Sequence, residues 1–328
     1  MLADDLIANV GSPEDRLYCG AFADLARRIR GAQRFDLSPE MMLSAFTVTH
    51  STPIGSQLRA LSLCKFPFRS TWFEWPGGFA GIESARTDCQ APVPKRMGAL
   101  VDTDESLQRG SITWAWIHPH MGINICPLAI TFDWRAEPEP LADIARNATW
   151  HERASEADWK KLAVDFPRIR NSTRQDVIAD NMRFGIILNP GMQAFMDRAS
   201  QVSAFGKLMN AAVKDIEGEA PLLRASIMLL NSRNLAEHRP RAISPKLNKS
   251  RARTGKPPLL DYTHVAIKLS RALGARAGMA ADARQPSRLH LVRGHFKIRA
   301  SGVYWWSPFA RGTATGRPIE RQQRSVGV

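Results

Sequence analysis

Apolar residues in the first 65 positions recur at the spacing of amphipathic helices. From Pro13 to Arg30 they follow a helical period, with Ser12 predicted as the N-cap and Gly31 as the stop. A second helix is expected after Ser38-Pro39-Glu40, and a third is expected through Leu58, Leu61 and Leu63. Residues 1–65 are therefore predicted to form a helical layer.

Residues 66–135 change to short runs whose β-branched and aromatic content is typical of strands. Four such runs, separated by Gly, Pro and charged residues, predict an antiparallel meander. Pro127 inside the last run indicates an edge or a bulge. The tryptophans are predicted to build a sheet core or a sheet–helix interface in preference to a ligand pocket. The runs are 69–75, 97–101, 111–117 and 123–132; by parity Trp114 and Trp116 share one face, whereas Trp72 and Trp75 lie on opposite faces.

Helical spacing returns over residues 136–235, where a buried helix is predicted to begin at Pro221. Residues 236–260 contain several prolines, a glycine and many basic residues, so we predict an exposed, mobile basic loop. Residues 261–312 add a strand and a hairpin, and residues 313–328 a disordered basic tail. The pattern predicts an α+β fold with a helical N-terminal layer, a mixed or antiparallel sheet, a helical middle and a C-terminal basic β-hairpin.

Charge is distributed very unevenly along this chain of 328 residues. The whole chain has a formal net charge of +14. From Arg224 to Val328 there are 21 Lys or Arg and 4 Asp or Glu, which leaves a net charge of about −3 for residues 1–223. A positive excess confined to one region indicates an anionic partner, most often nucleic acid.

Composition narrows the class of protein further. No apolar run approaches the roughly 18 residues that a membrane-spanning helix needs, and the N-terminus lacks the order of a signal peptide. We therefore expect a soluble, intracellular protein without a membrane partner. The absence of a CxxC pair or of a phosphate-binding glycine loop predicts free thiols and no cofactor. The cysteines are Cys19, Cys64, Cys89 and Cys126.

The segment from residue 289 to residue 311 has the pattern of a cationic, tryptophan-bearing hairpin. Two turns fit it: a two-residue turn would oppose Lys297 to Trp306, and a three-residue turn would oppose Lys297 to Trp305. In either register one of the two adjacent tryptophans joins the cationic face. Odd positions place Arg293, His295, Lys297 and Arg299 on that face, and even positions place Val292, Phe296 and Ile298 on the opposite, apolar face.

Aromatic rings set among Arg and Lys form a surface that can stack bases and contact phosphates. Two alternatives are that the cationic stems only cover a tryptophan of a structural hairpin, or that the hairpin recognises protein. The candidate nucleic-acid-binding residues are Arg293, His295, Lys297, Arg299, Trp305, Trp306 and Arg311 in the hairpin, with Lys246, Lys249, Arg251 and Arg253 in the basic loop.

Two other functions are compatible with the sequence. A metal-dependent nuclease would need clustered carboxylates, and Glu74, Asp102 and Asp104 near predicted strand ends are the candidates. A virion or scaffold protein would use its basic region only to neutralise packaged nucleic acid. His118, His120 and Cys126 could supply metal ligands, but no spacing identifies a third and fourth ligand for zinc, so no metal is expected.

The hairpin resembles the C-terminal signature of a family of phage-, prophage- and plasmid-borne proteins, one branch of which is the large type V-A anti-CRISPR inhibitors. Arg293, Gly294, His295 and Phe296 carry the match, followed by Tyr304-Trp-Trp-Ser-Pro-Phe309. The resemblance implies a non-enzymatic counter-defence or accessory protein of a mobile element, acting in the cytoplasm of a bacterial host. Its implied partner is RNA or a ribonucleoprotein, such as a CRISPR effector or its translation complex.

Overall fold

A computed structural model describes residues 1–78, 93–139, 141, 155–165, 172–201, 205–267, 290–292, 295–306 and 309–311. Its centre is an eight-stranded mixed sheet in the order β6-β5-β4-β3-β2-β1-β8-β7, in which β1 is parallel to β2 and β8 and the other neighbours are antiparallel. The strands are β1 (Gln33–Leu37), β2 (Ser70–Pro76), β3 (Arg96–Thr103), β4 (Arg109–His118), β5 (Gly122–Asp133), β6 (Phe184–Leu188), β7 (Ala236–Arg241) and β8 (Tyr262–Ile267).

Helices cover both faces of this sheet, which confirms the α+β prediction. One face packs against α1, α3 and α8, and the other against α4, α5 and α9. No helix within the described ranges is both long and apolar enough to span a bilayer. The helices are α1 (Leu2–Ala8), α2 (Pro13–Leu17), α3 (Ala21–Gly31), α4 (Pro39–Ser51), α5 (Ile54–Leu61), α6 (Glu156–Asp165), α7 (Arg174–Asn181), α8 (Gln193–Ala199), α9 (Phe205–Leu230) and α10 (Pro245–Arg253).

The four predicted strands form the antiparallel meander β2 to β5, and the parity of their tryptophans is confirmed. Trp75, Trp114 and Trp116 belong to the core on one face of the sheet, whereas Trp72 belongs to the core on the other. Gly98 makes room for Trp72, because a Cβ atom at Gly98 would lie 2.2 Å from Cζ2 of the indole. The β4–β5 ladder is irregular where Thr113 pairs with Ala129 and Ala115 with Ile125, so the predicted bulge surrounds Pro127.

Two helix predictions were wrong in their limits. The stretch from Pro13 to Arg30 is divided between α2 and α3, because Gly20 adopts φ +80° in the turn that joins them. Ser12 does cap α2, and Gly31 does end α3. Pro221 lies inside α9 and does not begin a helix. Amphipathic spacing continues through this proline, so its local signal did not identify a boundary.

The predicted basic loop at residues 236–260 was also wrong, since this segment contains β7 and α10. Strand β7 is an edge strand whose side chains are exposed or half-buried, so it lacks the apolar alternation that identifies a strand. Helix α10 has no buried residue, so its sequence has no apolar stripe. Strands β1 and β6 were likewise missed within segments predicted to be helical. Arg293, residues 268–289 and the predicted tail at 313–328 lie outside the described residues.

Candidate nucleic-acid interface

The C-terminal hairpin consists of β10 (His295–Arg299) and β11 (Gly302–Trp306). Its register opposes Arg299 to Gly302, Lys297 to Tyr304 and His295 to Trp306. Both predicted registers were wrong, because the turn contains Ala300 and Ser301 and is followed directly by Gly302. Gly302 can hold this position because its φ of +125° is one that residues with a Cβ atom rarely adopt.

One face of the hairpin alternates basic and aromatic side chains. The Lys297 ammonium lies 5.1 Å from the ring centroid of Trp306, and the Arg299 guanidinium carbon lies 5.6 Å from that of Tyr304. The His295 ring is 6.1 Å from Trp306 and inclined to it by 26°. We call these five side chains the cationic aromatic face. Its cations lie within the range of cation–π attraction, and Trp306 remains 43% exposed, so the face can offer rings and charges together.

The opposite face of the hairpin packs into the core. Trp305 is only 3% exposed, and its ring centroid lies 4.8 Å from that of Phe296. Val303 is buried beside them. Trp305 therefore belongs to the apolar face and not to the predicted binding surface, whereas Trp306 belongs to that surface. Ile298, predicted to be part of the core, is 43% exposed near the turn.

Polar contacts hold the hairpin against the turn that follows α9. The Asn234 side-chain amide donates to the Trp305 carbonyl at 2.8 Å, and its oxygen accepts from the Trp305 N–H at 3.2 Å. The Arg233 N–H donates to the Val303 carbonyl at 3.2 Å. A side-chain amide thus satisfies both backbone groups of a buried residue, which fixes the position of the strand.

Arg233 is a basic residue of this surface that sequence reasoning missed. Its Nε lies 3.3 Å from the position that a Cβ atom would occupy on Gly302. Because Gly302 is the cross-strand partner of Arg299, the Arg233 side chain extends the basic surface at the turn end of the hairpin. Nothing in the sequence identifies this neighbour, since the contact joins segments far apart in the chain and depends on how α9 ends.

The basic residues predicted in the loop lie on or beside α10. Lys246, Lys249 and Arg253 are exposed, whereas Arg251 is half-buried and donates from Nε to the Pro257 carbonyl at 2.9 Å. Helix α10 is hydrogen-bonded to the segment that precedes β8. The basic residues of α10 and those of the hairpin are therefore held by different parts of the fold. Arg311 ends β12 (Phe309–Arg311), which pairs with β9 (His290–Val292).

The carboxylates considered for a nuclease have separate structural partners. Glu74 is fully buried and accepts hydrogen bonds from the N–H groups of Leu2 and Ala3, from the Trp72 indole and from Arg96. Asp102 forms an ion pair with Arg28 at 2.5 Å and accepts from the Ser70 hydroxyl. Asp104 accepts from Ser106. Across the described ranges, no three His, Cys, Asp or Glu side chains come close enough to hold a metal ion.

Two of the three candidate metal ligands, His118 and Cys126, lie beside a cavity of about 390 Å³ near the β4–β5 turn. His118, Cys126 and Trp116 contribute to its lining, as does Tyr18, whose hydroxyl donates to Asn124 Oδ1 at 2.8 Å. Burial raises the pKa of the Cys126 thiol to about 12. The thiol is therefore neutral at physiological pH, and neutral thiols are poor metal ligands.

Comparisons of the chain with protein-family models, curated proteins and solved structures returned no match. The class is defined by the fold and the surface alone: an α+β protein with a mixed sheet between helical layers and a docked hairpin that presents basic and aromatic side chains.

Proposed function

We propose that the protein binds RNA, alone or within a ribonucleoprotein, through the cationic aromatic face. The observation that supports this most directly is the pairing of Lys297 with Trp306 and of Arg299 with Tyr304 on one exposed side of a docked hairpin. A base can stack on an exposed ring while the adjacent cation contacts the phosphate, and stacking contributes about 1–3 kcal/mol per base.

Single-stranded RNA fits this surface better than a duplex does. The bases of a paired strand are stacked on one another, and the deep major groove of an RNA duplex is too narrow for side chains to read. The Trp306 ring projects from the second strand of the hairpin beside Lys297, so it is reached most easily by an unpaired base.

The wider role that we propose is that of a non-enzymatic mobile-element protein with a counter-defence function. The support for this role is the resemblance of residues 292–312 to the ends of phage and plasmid proteins, together with the basic surface. A CRISPR effector and a translating ribosome both expose RNA phosphate, so either could meet this surface in a bacterial cytoplasm.

The proposal is tested by fluorescence anisotropy with labelled single-stranded RNA, double-stranded RNA and single-stranded DNA over a salt series. The variant Lys297→Ala/Arg299→Ala removes two charges from the face. The matched control Lys207→Ala/Lys214→Ala removes two charges from exposed positions on α9. At a rise of 1.5 Å per residue, Lys207 lies roughly 35 Å along that helix from its end at the hairpin.

We expect the hairpin variant to weaken RNA binding and to lower the salt slope by about 1.4, at about 0.7 for each phosphate contact to a single strand. The control should leave both quantities unchanged. Equal losses in the two variants would show a diffuse charge effect and refute a defined site. Equal affinity for RNA and DNA would favour the virion or scaffold function, and cleavage of the RNA with Mg²⁺ that Asp104→Ala, a change at an exposed candidate carboxylate, abolishes would favour a nuclease.

A further inference from the structure

We propose that the RNA site continues from the hairpin along the exposed edge of the sheet to α10. The continuation is formed by Arg233, Arg241, Lys246, Lys249 and Arg253, which we call the basic track. This inference rests on the proposed RNA-binding function and adds to it the path and the length of the bound strand. Residues 233–256 contain eight Lys or Arg and one acidic residue, so the segment is strongly basic throughout.

The track begins at the hairpin. Arg233 is exposed, and its side chain lies against Gly302 at the turn end of the cationic aromatic face. The next residue, Asn234, holds the backbone of Trp305, and β7 starts two residues later. The chain therefore runs directly from the residues that contact the hairpin into the edge strand β7.

Strand β7 provides the middle of the track. It is the last strand of the sheet and, among the described residues, hydrogen-bonds to β8 alone. Pro240 removes one N–H from this edge, which makes pairing with the strand of another protein unfavourable. Arg241 is exposed beside it, and Arg239 forms an ion pair with Glu237 at 2.9 Å. An edge that is poor at strand pairing and carries two arginines against one glutamate suits an anionic polymer better than an extended peptide.

Helix α10 provides the far end of the track. Lys246, Lys249 and Arg253 are spaced by three and four residues, so they lie on one side of the helix. Asn248 and Arg251 lie on the other side, where Asn248 pairs with the Leu259 backbone and Arg251 donates to the Pro257 carbonyl. One side of α10 is thus used for docking, and the other presents three exposed cations.

The dimensions of these elements predict a dependence on RNA length. The six residues of β7 span roughly 20 Å at about 3.3 Å each. The nine residues of α10 span roughly 14 Å at 1.5 Å each. A short oligomer can occupy the hairpin alone, whereas a longer strand can also reach the track. The longer strand should therefore bind more tightly and release more counterions.

The test compares RNA oligomers of about 6 and about 18 nucleotides, because single-strand sites range from about 4 to about 16 nucleotides and the two lengths lie near the lower end and beyond the upper end of that range. The track variant is Arg241→Ala/Lys246→Ala/Lys249→Ala/Arg253→Ala. Its matched control, Lys160→Ala/Lys161→Ala/Lys207→Ala/Lys214→Ala, removes four exposed charges from α6 and α9. Far-ultraviolet circular dichroism and the unfolding midpoint of each variant establish that it remains folded.

We expect the track variant to bind the long RNA at least about tenfold more weakly, with a salt slope lower by about 3, and to bind the short RNA as the unaltered protein does. If the long RNA loses no affinity in the track variant while Lys297→Ala/Arg299→Ala still prevents binding, the track is refuted and the hairpin site remains. If neither oligomer binds the unaltered protein, the proposed function itself is refuted. Equal losses in the track variant and its control would also refute a defined path.

Discussion

Replacing the adjacent residues Trp305 and Trp306 one at a time should show that Trp305 contributes to the stability of the fold and Trp306 to RNA binding. Trp305 is 3% exposed and packs against Phe296 in the core, so Trp305→Ala should cost about 3–5 kcal/mol, the usual range for a buried large aromatic residue. Trp306 is 43% exposed, and its described contact with Lys297 is of a kind that contributes about 0.5–1 kcal/mol at exposed sites. Trp306→Ala should therefore cost about 1 kcal/mol or less.

Two assays report the effect of each change on stability, and the anisotropy assay reports its effect on RNA binding. Urea unfolding reports global stability, and native-state hydrogen exchange over residues 295–306 reports whether the hairpin detaches by itself. Trp305→Ala should raise exchange across both strands. Trp306→Ala should leave exchange nearly unchanged and weaken binding of single-stranded RNA by about 1–3 kcal/mol, the contribution of one stacked base.

Conservative variants provide the controls. Trp306→Phe keeps a ring for stacking and should retain most of the RNA affinity, and Trp305→Phe should retain most of the exchange protection. The reverse pattern, with Trp306→Ala exposing the hairpin and Trp305→Ala leaving it protected, would refute the register in which Phe296 opposes Trp305. If neither Trp305→Ala nor Trp306→Ala weakened RNA binding, base stacking would not be part of the proposed function.

Three further predictions concern the buried charges and thiols. Glu74→Gln should destabilise the fold by about 1.5–3 kcal/mol, because a neutral amide replaces the buried carboxylate that accepts from the Leu2 and Ala3 N–H groups, while Arg96 keeps its ion pair with Asp36 at 2.7 Å. Burial of the Asp133 carboxyl opposes its ionisation, but hydrogen bonds from the Arg135 side chain outweigh this effect and lower the pKa to about 2. The stability from Asp133 should be complete above about pH 4 and lost as the pH falls toward 2, and urea midpoints over this range should show a smaller loss in Asp133→Asn. Cys64 and Cys126, whose thiol pKa burial raises to about 12, should resist alkylation at pH 8 until the protein unfolds, as measured by mass spectrometry.

The predictions for Glu74 and for the buried thiols each have an internal control. Glu105→Gln disrupts an exposed ion pair with Arg69 and should change stability by less than about 1 kcal/mol. If it cost as much as Glu74→Gln, burial would not be the source of the effect. Cys19 is half-buried in a turn and should be alkylated in the native state. Labelling of Cys126 as fast as Cys19 would show that the core admits the reagent.

The sequence predicted the elements that bury apolar side chains. The meander from β2 to β5 was predicted correctly because short runs rich in β-branched and aromatic residues, separated by Gly, Pro and charged residues, are a local signal. Parity within a strand alone places Trp72 and Trp75 on opposite faces and Trp114 and Trp116 on one face. The cap at Ser12 was also predicted correctly, because a hydroxyl before proline is a local signal.

The features that were not predicted correctly are those that depend on contacts between residues far apart in the chain or on an unusual backbone conformation. Strand β1 is only five residues long, and it joins the meander to β8 by parallel pairing across more than two hundred residues of chain. The hairpin register depended on Gly302, whose φ of +125° places it after the turn and not within it. Arg233 could not be predicted, since its position follows from the docking of the hairpin on the end of α9.

Docking of the hairpin also explains how a small basic element can form a defined surface. An isolated two-stranded hairpin is only marginally stable in water. Here Phe296, Val303 and Trp305 join the core, and Asn234 holds the Trp305 backbone, so the cationic aromatic face is ordered before any ligand arrives. Binding then costs little conformational entropy at the hairpin. Helix α10 has no buried residue, so its cations are held less firmly. The hairpin should therefore set the orientation of the RNA, and the basic track should contribute mainly electrostatic attraction that weakens with salt.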